Sequence, residues 1–281
     1  MKEMKELSFY EALSFGTTRI VCSLKDGGTS TGTGFFVYLN KIENKEEEPR
    51  PVLITNKHVI KGAERGYLTL STMKDNKIAG TEKIEIPFSN FESFWIPHPD
   101  DSIDLCILNF ITIEGRIKSS LNLDLFYLPL AIEMIPSITT MVTFDTMEEV
   151  VMIGYPNGIW DSHNNKPIFR KGVTATDIRL DYEQRPEFLI DMAVFGGSSG
   201  SPILYAKDKL TPYMGAVANH RKLYLLGILY AGFQHTASGD VKIIEIPQIQ
   251  KTIIETSIPN NLGIAIKSEK LIDFRRMYFN D

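Results

Sequence analysis

The chain has 281 residues, of which 43% are hydrophobic and 23% charged, the composition of an ordinary soluble globular protein with one large domain or two small ones. Its 30 Lys and Arg residues are outnumbered by 35 Asp and Glu residues, so the formal net charge is −5. This acidic balance argues against a nucleic-acid partner, because neutralising phosphates requires a basic face. No apolar run approaches the ~18 residues that cross a bilayer, so we expect no membrane association.

The N-terminal segment MKEMKELSFYEAL intersperses Lys and Glu and lacks the continuous apolar stretch of a secretory signal. Its apolar side chains recur with helical spacing, which predicts a short amphipathic helix over residues 3–14, within an N-terminal extension of residues 1–16. Because no secretory signal is present, we expect a cytoplasmic protein in which Cys22 and Cys106 are reduced thiols.

After Gly16 the chain changes to short apolar segments separated by Gly, Pro, Asn and Asp, a pattern typical of β-sandwiches and barrels. Predicted strands include TRIVCSL, GTGFFVYL, PVLITNKHVI and DSIDLCIL in the first half, and VVMIGYP, EFLIDMAV, SPILYA and KLYLLGILYAG in the second. Residues 114–147 are interpreted mainly as a connector, and residues 267–278 as a basic C-terminal helix. On this pattern alone, an all-β binding module fits as well as an enzyme does.

Three segments carry reactive side chains beside predicted strands: TNKHVI with His58, SIDLCIL with Asp104 and FGGSSGSPI with Ser199. A serine hydroxyl needs a base within hydrogen-bond distance, and histidine has the proton affinity for that role. A carboxylate then fixes the tautomer of the imidazole and stabilises its cation. Glycines around the serine allow backbone N–H groups to face a developing oxyanion. Together the three segments predict nucleophilic acyl transfer.

These segments resemble the motifs of the chymotrypsin-like (trypsin-fold) serine peptidases, and among them the intracellular bacterial trypsin-like peptidase domains. TNKHVI is similar to the family's TAAHC-type histidine motif, SIDLCIL to its DIAL-type aspartate motif, GSSGSP to its GDSGGP nucleophile motif and GTGFF to its GSGF strand. The resemblance implies an all-β fold of two packed six-stranded antiparallel barrels. The first barrel and a connector would occupy residues 17–147, and the second barrel with the C-terminal helix would occupy residues 148–281.

The resemblance also implies a serine endopeptidase that hydrolyses peptide bonds through an acyl-enzyme. His58 would act as the base, Asp104 would orient it, and Ser199 would be the nucleophile. The backbone N–H groups of Gly197 and Ser199 would form the oxyanion hole. No metal and no cofactor are implied. The expected partner is a protein or peptide substrate, most simply one dedicated intracellular protein.

By the same resemblance, Ala193 would form the floor of the specificity pocket, and Tyr230, Ala231 and Gly232 its wall. Because Ala193 carries no charge, we expect an apolar or small side chain, and not Lys or Arg, before the scissile bond. Ser198 stands where secreted relatives have an aspartate that pairs with a newly cut N-terminus. We therefore expect either a constitutively formed site or one held inactive by a regulatory protein or a disordered loop.

Two alternatives remain open at this point. The sequence GGSSG also fits the G-x-S-x-G nucleophile elbow of esterases with Ser198 central, which requires a helix directly after that serine. A trypsin fold can also persist as a catalytically silent scaffold or binding module. The other histidines, His98, His163, His220 and His235, lack metal-ligand spacing and are interpreted as surface or turn residues.

Overall fold

The protein is dominated by β-strands in a computed structural model that describes residue 3 and residues 6–39, 50–75, 77–213, 216–240 and 253–279. Within these residues, strands β1 to β15 span Thr17–Leu24, Thr29–Leu39, Arg50–Thr55, Ala63–Lys74, Lys77–Ser89, Trp95–Pro97, Cys106–Asn109, Asp124–Phe126, Leu130–Ala131, Glu149–Gly154, Ile168–Thr174, Glu187–Asp191, Pro202–Tyr213, Ala216–Asp240 and Ile253–Lys267. Helices α1 to α5 span Phe9–Ser14, Lys57–Ile60, Ile111–Leu121, Ile138–Met141 and Leu271–Phe279. None of the described helices is long and apolar enough to cross a bilayer.

The first half of the chain forms one nine-stranded sheet in the order β5-β4-β1-β2-β3-β7-β6, with β8 paired to β4 and β9 to β2. The resemblance implied a six-stranded antiparallel barrel here. Among the described residues, the first and last strands of this order, β5 and β6, are not hydrogen-bonded to each other, so the sheet is open. Its ends, β5 and β6, are joined by the 3-10 turn Phe91–Phe94. This turn buries the Phe91 ring directly over Gly66, where a Cβ atom would overlap it, so the chain bends through the core between these two strands.

The second half forms the closed six-stranded barrel that the resemblance implied, in the order β10-β11-β12-β15-β14-β13. Strand β13 begins at Pro202, only three residues after Ser199. The helix that a nucleophile elbow requires after its serine is therefore not present in this described segment. The elbow interpretation is wrong, and the two-part, mostly β architecture has a trypsin-like fold.

A buried apolar cluster joins the two halves and positions one against the other. Its members come from both sheets and from α5, and they include Phe35, Ile54, Leu105, Ile107, Val151, Leu204, Ile228, Leu271 and Phe274. Removing apolar surface from water contributes roughly 25 cal/mol per Å² to the free energy of folding, so this cluster, called the seam below, stabilises the contact between the two halves. The C-terminal helix α5 packs into this seam through Leu271 and Phe274, which are fully buried.

Several elements differ from the sequence prediction. Helix α1 begins at Phe9 and not at residue 3, because Ser8 and Glu11 form a capping box that starts the helix there. The segment PVLITNKHVI was predicted as one strand, whereas β3 ends at Thr55 and Lys57–Ile60 form the short helix α2. The region interpreted as a connector contains most of α3 together with β8 and β9.

The interpretation of His98 as a surface residue is wrong, because this side chain is only 2% exposed. The ring is enclosed by groups that lie far apart in the sequence, which its local pattern does not reveal. His163 is exposed, as expected. His220 and His235 lie outside the residues whose side chains are described.

Both cysteines, Cys22 and Cys106, are free thiols in the core of the first half. Burial raises the pKa of Cys22 to about 12. Burial also raises the pKa of Cys106 well above its usual value. Since neither thiol ionises near neutral pH, both behave as small apolar side chains and not as nucleophiles.

Candidate active site

The end of β3 and the start of α2 bring His58 against Asp104. The Nδ1 atom of His58 lies 2.5 Å from Oδ2 of Asp104. The backbone N–H of His58 donates to Oδ1 of the same carboxylate at 3.1 Å. Because a carboxylate only accepts, Nδ1 carries the proton and Nε2 is left free to accept one. The His58 side chain is 45% exposed, so the imidazole is open to solvent.

The residues on the N-terminal side of His58 hold the loop that carries Asp104. The side-chain amide of buried Asn56 donates to the backbone carbonyl of Asp104 at 2.7 Å. The ammonium group of Lys57 donates to the carbonyls of Asp100 at 3.4 Å and Asp101 at 3.2 Å. Asn56 and Lys57 therefore position Asp104 through its backbone, in addition to its direct contact with the imidazole.

His98 supports the same loop from the other side. Its Nδ1 atom accepts a hydrogen bond from the backbone N–H of Asp100 at 3.0 Å. Its Nε2 atom lies 3.1 Å from the backbone carbonyl of Lys270, and its ring packs edge-on against Phe274 with 5.1 Å between centroids. Since an acceptor faces Nε2 and a donor faces Nδ1, the neutral ring with its proton on Nε2 satisfies both contacts. The loop that carries Asp104 is thereby attached to the C-terminal end of the chain.

The loop around Ser199 is built on two glycines with left-handed backbone. Gly197 has φ +81° and Gly200 has φ +87°. A Cβ atom would lie 2.6 Å from the Tyr155 carbonyl oxygen at Gly197, and 2.0 Å from the Thr33 carbonyl oxygen at Gly200. Only glycine fits either position, which explains the spacing of glycines around the serine.

The amides of Gly197 and Ser199 have no hydrogen-bond partner among the described residues. The carbonyl oxygen of Gly196 accepts from the N–H of Asn157 at 2.5 Å. Because a trans peptide holds C=O and N–H on opposite sides, the N–H of Gly197 is directed away from Asn157. Two unpaired amides beside a serine are the kind of donors that an oxyanion hole uses.

The Ser199 hydroxyl donates to the backbone carbonyl of Tyr230 at 3.4 Å. Within the described chain, no hydrogen bond joins it to His58. The hydroxyl is held by a single long hydrogen bond, so a rotation about its χ1 angle is the change needed to release it. Such loose geometry is common in unliganded active sites and tightens when substrate binds.

A cavity of about 440 Å³ opens beside Ser199. Three of the four predicted pocket residues line it, namely Tyr230, Ala231 and Gly232, whereas Ala193 does not. The neighbouring Val194 lines the cavity in its place, and a Cβ atom at Gly232 would lie 3.2 Å from Val194 Cγ1. Among the described lining residues, the Tyr230 phenol is the only acidic or basic side chain.

The phenol of Tyr230 is fixed by a hydrogen bond to Oε1 of Glu187 at 2.9 Å. Burial raises its pKa to about 12, and the bond to Glu187 adds to the shift. Glu187 is buried and also pairs with Arg185, whose guanidinium lies 3.0 Å from the same oxygen. This network holds the backbone that accepts the Ser199 hydrogen bond.

Two residues that were not predicted as site residues also contribute to this geometry. Both lie inside motifs that were recognised because of other residues. Thr33 belongs to GTGFF and contacts the Ser199 loop, and Asn56 precedes His58 in TNKHVI. Their positions within the motifs were the available signal, although their partners are distant in sequence. Among the described residues, no group of three or more His, Cys, Asp or Glu side chains could hold a metal ion.

Comparison with known proteins places this geometry in a family context. The model of the trypsin-like peptidase domain matches residues 32–211, which include His58, Asp104 and Ser199. No curated protein matches the chain significantly.

Two solved structures illustrate the likeness of fold. The HtrA-type protease AlgW with a tripeptide is 15% identical, with a TM-score of 0.50, and the match covers 98% of this chain and 64% of that one. The active form of the Rv3671c protease from M. tuberculosis is 17% identical, with a TM-score of 0.45, and the match covers 94% of this chain and 80% of that one. At such identities the likeness concerns the fold alone.

Proposed function

The chain belongs to the trypsin-like peptidase family and is a serine protease, and from that premise we propose that it is an endopeptidase whose acyl-enzyme forms on Ser199. His58 accepts the Ser199 proton and then donates it to the leaving amine, while Asp104 stabilises the imidazolium. The observation that carries this proposal is the contact of both Asp104 oxygens with His58, at 2.5 Å and 3.1 Å. That arrangement leaves Nε2 as the only basic atom of the ring.

The backbone N–H groups of Gly197 and Ser199 would stabilise the tetrahedral oxyanion. Two observations support this assignment. No described residue accepts a hydrogen bond from either N–H group, and the bond from Asn157 orients the Gly196 carbonyl away from them. On this proposal the hole is formed without insertion of a new N-terminus. A regulatory protein partner, if one exists, would act on the Ser199 hydroxyl or on substrate access and not on these amides.

We propose a peptide or protein substrate, dedicated and intracellular, with an apolar or small side chain before the scissile bond. The uncharged lining formed by Val194, Phe195 and Leu229 supports that preference. The structure of AlgW with a tripeptide is consistent with peptide binding by this fold. Digestion of a degenerate peptide library, followed by sequencing of the products, measures the preference. Dominant cleavage after Lys or Arg would contradict it.

A fluorophosphonate probe tests the catalytic assignment. It forms a covalent bond with an activated serine oxygen and releases fluoride, and mass spectrometry locates the adduct. We expect labelling at Ser199 in the purified chain, with no labelling in Ser199→Ala and a loss of at least about 100-fold in rate in His58→Ala, the usual worth of a general base. Absence of labelling in folded protein would favour the silent scaffold.

A further inference from the structure

A positively charged group without an acidic partner lies close to the Ser199 loop. The guanidinium of Arg19 on β1 stacks on the Trp160 indole, with 5.8 Å between Cζ and the ring centroid. The ammonium group of Lys83 lies 4.9 Å from the same centroid and donates to the Ser162 carbonyl. Two cations therefore flank one aromatic ring.

Arg19 is half-buried, and its Nε atom is fully buried without a hydrogen-bond partner. The Arg19 side chain makes no hydrogen bond or ion pair with another described residue. The acid next to Trp160 in sequence, Asp161, is already engaged by the Asn164 side chain at 2.7 Å and by the N–H groups of His163 and Asn164. Removing a charge from water without a partner is costly, and stacking on an aromatic ring compensates only part of that cost.

The position of this group relative to the active site follows from two glycines. A Cβ atom at Gly158 would lie 3.3 Å from a terminal guanidinium nitrogen of Arg19. A Cβ atom at Gly197 would lie 3.2 Å from the backbone nitrogen of the same Gly158. Arg19 is thus separated from the proposed oxyanion amide by little more than the backbone of Gly158.

The cavity proposed for the side chain before the scissile bond is lined by Tyr230, Val194 and Asn157, whereas Arg19 and Trp160 are not among its lining residues. A peptide whose carbonyl oxygen points to the Gly197 amide continues away from that cavity after the scissile bond. Arg19 and Trp160 lie close to the Gly197 amide but outside this cavity, so we place them on the departing side of the substrate. The leaving half of the substrate therefore passes the cationic group.

We propose that Arg19, Trp160 and Lys83 form a subsite that binds an acidic side chain of the substrate on the C-terminal side of the scissile bond. This inference rests on the proposed peptidase function and adds a substrate class to it. An aspartate or glutamate at this place would pair with the unpartnered guanidinium by charge-assisted hydrogen bonds, which are about twice as strong as neutral ones. Lys83 would add long-range attraction because it is exposed.

The first experiment compares cleavage of a peptide library, degenerate on both sides of the scissile bond, by the wild-type chain and by Arg19→Gln. We expect an Asp or Glu preference within the first three residues after the bond, lost in the variant. Two fluorogenic peptides that differ only by Glu or Gln at the selected position then give the magnitude. For the Glu peptide, kcat/KM should fall about tenfold in Arg19→Gln, whereas for the Gln peptide it should change less than twofold.

The variant Lys171→Gln is the matched control, because it removes one positive charge from an exposed residue that already pairs with Glu149. It should leave the ratio between the Glu and Gln peptides unchanged. The inference is wrong if the wild-type enzyme shows no acid preference after the bond, or if Arg19→Gln keeps it. It is also wrong if an acid is selected before the bond and Arg170→Gln removes that selection, since Arg170 stacks on Phe195 in the cavity wall.

A binding measurement separates this inference from the proposed function. The Glu and Gln peptides are titrated into the Ser199→Ala chain, which cannot acylate, with and without Arg19→Gln. Tighter binding of the Glu peptide that depends on Arg19 supports the subsite even if the wild-type chain cleaves nothing. Equal binding of both peptides to the Ser199→Ala chain, while the wild-type chain cleaves both equally, rejects the subsite and leaves the peptidase intact.

Discussion

The hydroxyl of Thr33 donates a hydrogen bond to the backbone carbonyl of Gly197 at 3.0 Å, so the first sheet holds the loop of the second barrel that carries the nucleophile. The backbone N–H of Thr33 also donates to the Ser199 carbonyl at 2.8 Å. Its hydroxyl accepts from the Tyr155 N–H at 3.1 Å and from the Ser201 hydroxyl at 3.2 Å. One fully buried residue thus joins four groups around the proposed oxyanion hole, three through its hydroxyl and one through its backbone N–H.

Replacing Thr33 with Val should therefore impair catalysis more than binding. The Gly197 carbonyl would lose its buried partner, a loss worth about 1–3 kcal/mol, and the Gly197–Ser198 peptide, which lies between the two proposed oxyanion amides, would lose an anchor. We expect kcat to fall about tenfold or more with KM nearly unchanged, which identifies an interaction made in the transition state. Steady-state kinetics well below the melting temperature provide the measurement.

Thr33→Ser is the control for that prediction, because it keeps the hydroxyl and loses only a methyl group. It should retain most of the wild-type kcat. If Thr33→Val lowers the melting temperature but leaves kcat intact, Thr33 is a stabilising residue and does not position the loop.

Asp104→Asn should keep the fold and reduce turnover by about 10⁴-fold, because the amide can donate to Nδ1 and favour the wrong tautomer of His58. The hydrogen bond from Asn56 to the backbone carbonyl of residue 104 does not depend on the carboxylate, so the loop should stay in place. Turnover of a peptide substrate and the circular dichroism spectrum should be measured together. Near-normal turnover would remove Asp104 from the proposed triad.

Ser198 and Ser199 are adjacent, and substitution with alanine should affect them in opposite ways. Ser198 is fully buried and its hydroxyl has no hydrogen-bond partner among the described residues. Ser198→Ala removes an unsatisfied buried group, so we expect unchanged labelling by a fluorophosphonate and equal or higher thermal stability. A loss of labelling in Ser198→Ala with a folded chain would disagree with the assignment of Ser199 as the nucleophile.

The phenol of Tyr230 predicts a difference in stability at alkaline pH. Its pKa is raised to about 12 in the folded protein from an ordinary value of 10.0, first by burial and then by the bond to Glu187. A group whose pKa is raised on folding contributes stability below its unfolded pKa and loses that contribution as pH rises through the folded value. The wild-type chain should therefore lose stability between about pH 10 and 12 relative to Tyr230→Phe.

Urea unfolding of both chains at a series of pH values measures this difference. At pH 8 Tyr230→Phe should be less stable, by about 1 kcal/mol for one lost hydrogen bond. Titration of Cys22 is common to both chains and cancels in the comparison. A constant difference from pH 8 to pH 12 would show that the phenol does not titrate as described.

The proposed reactive residues could be selected from the sequence because chemistry restricts their types and the backbone restricts their neighbours. His58, Asp104 and Ser199 stand in motifs whose order matches the family. Gly197 and Gly200 are required by left-handed φ values that a side chain would oppose. These constraints act within a few residues, so they can be seen in a single sequence.

Other features depend on contacts between distant parts of the chain. The bond from Thr33 to Gly197 joins residues 164 positions apart. Burial of His98 depends on Lys270, directly before α5, and on Phe274 within that helix. Ala193 was predicted to line the cavity, but the neighbouring Val194 lines it instead. Which of these two residues faces Gly232 depends on the backbone conformation of their segment. The open path of the first sheet depends on the bend at Phe91, for which strand periodicity carries no signal.

The bond between His98 and the Lys270 carbonyl spans 172 positions of sequence. During translation, His98 and the loop that carries Asp104 are synthesised long before Lys270 and helix α5. A nascent chain that has not yet reached Leu271 would lack Leu271 and Phe274 from the buried cluster that also contains Leu105 and Ile107. We therefore expect proteolytic activity to arise only after α5 has been synthesised and has packed into the buried cluster between the two halves, so that a chain lacking α5 is inactive.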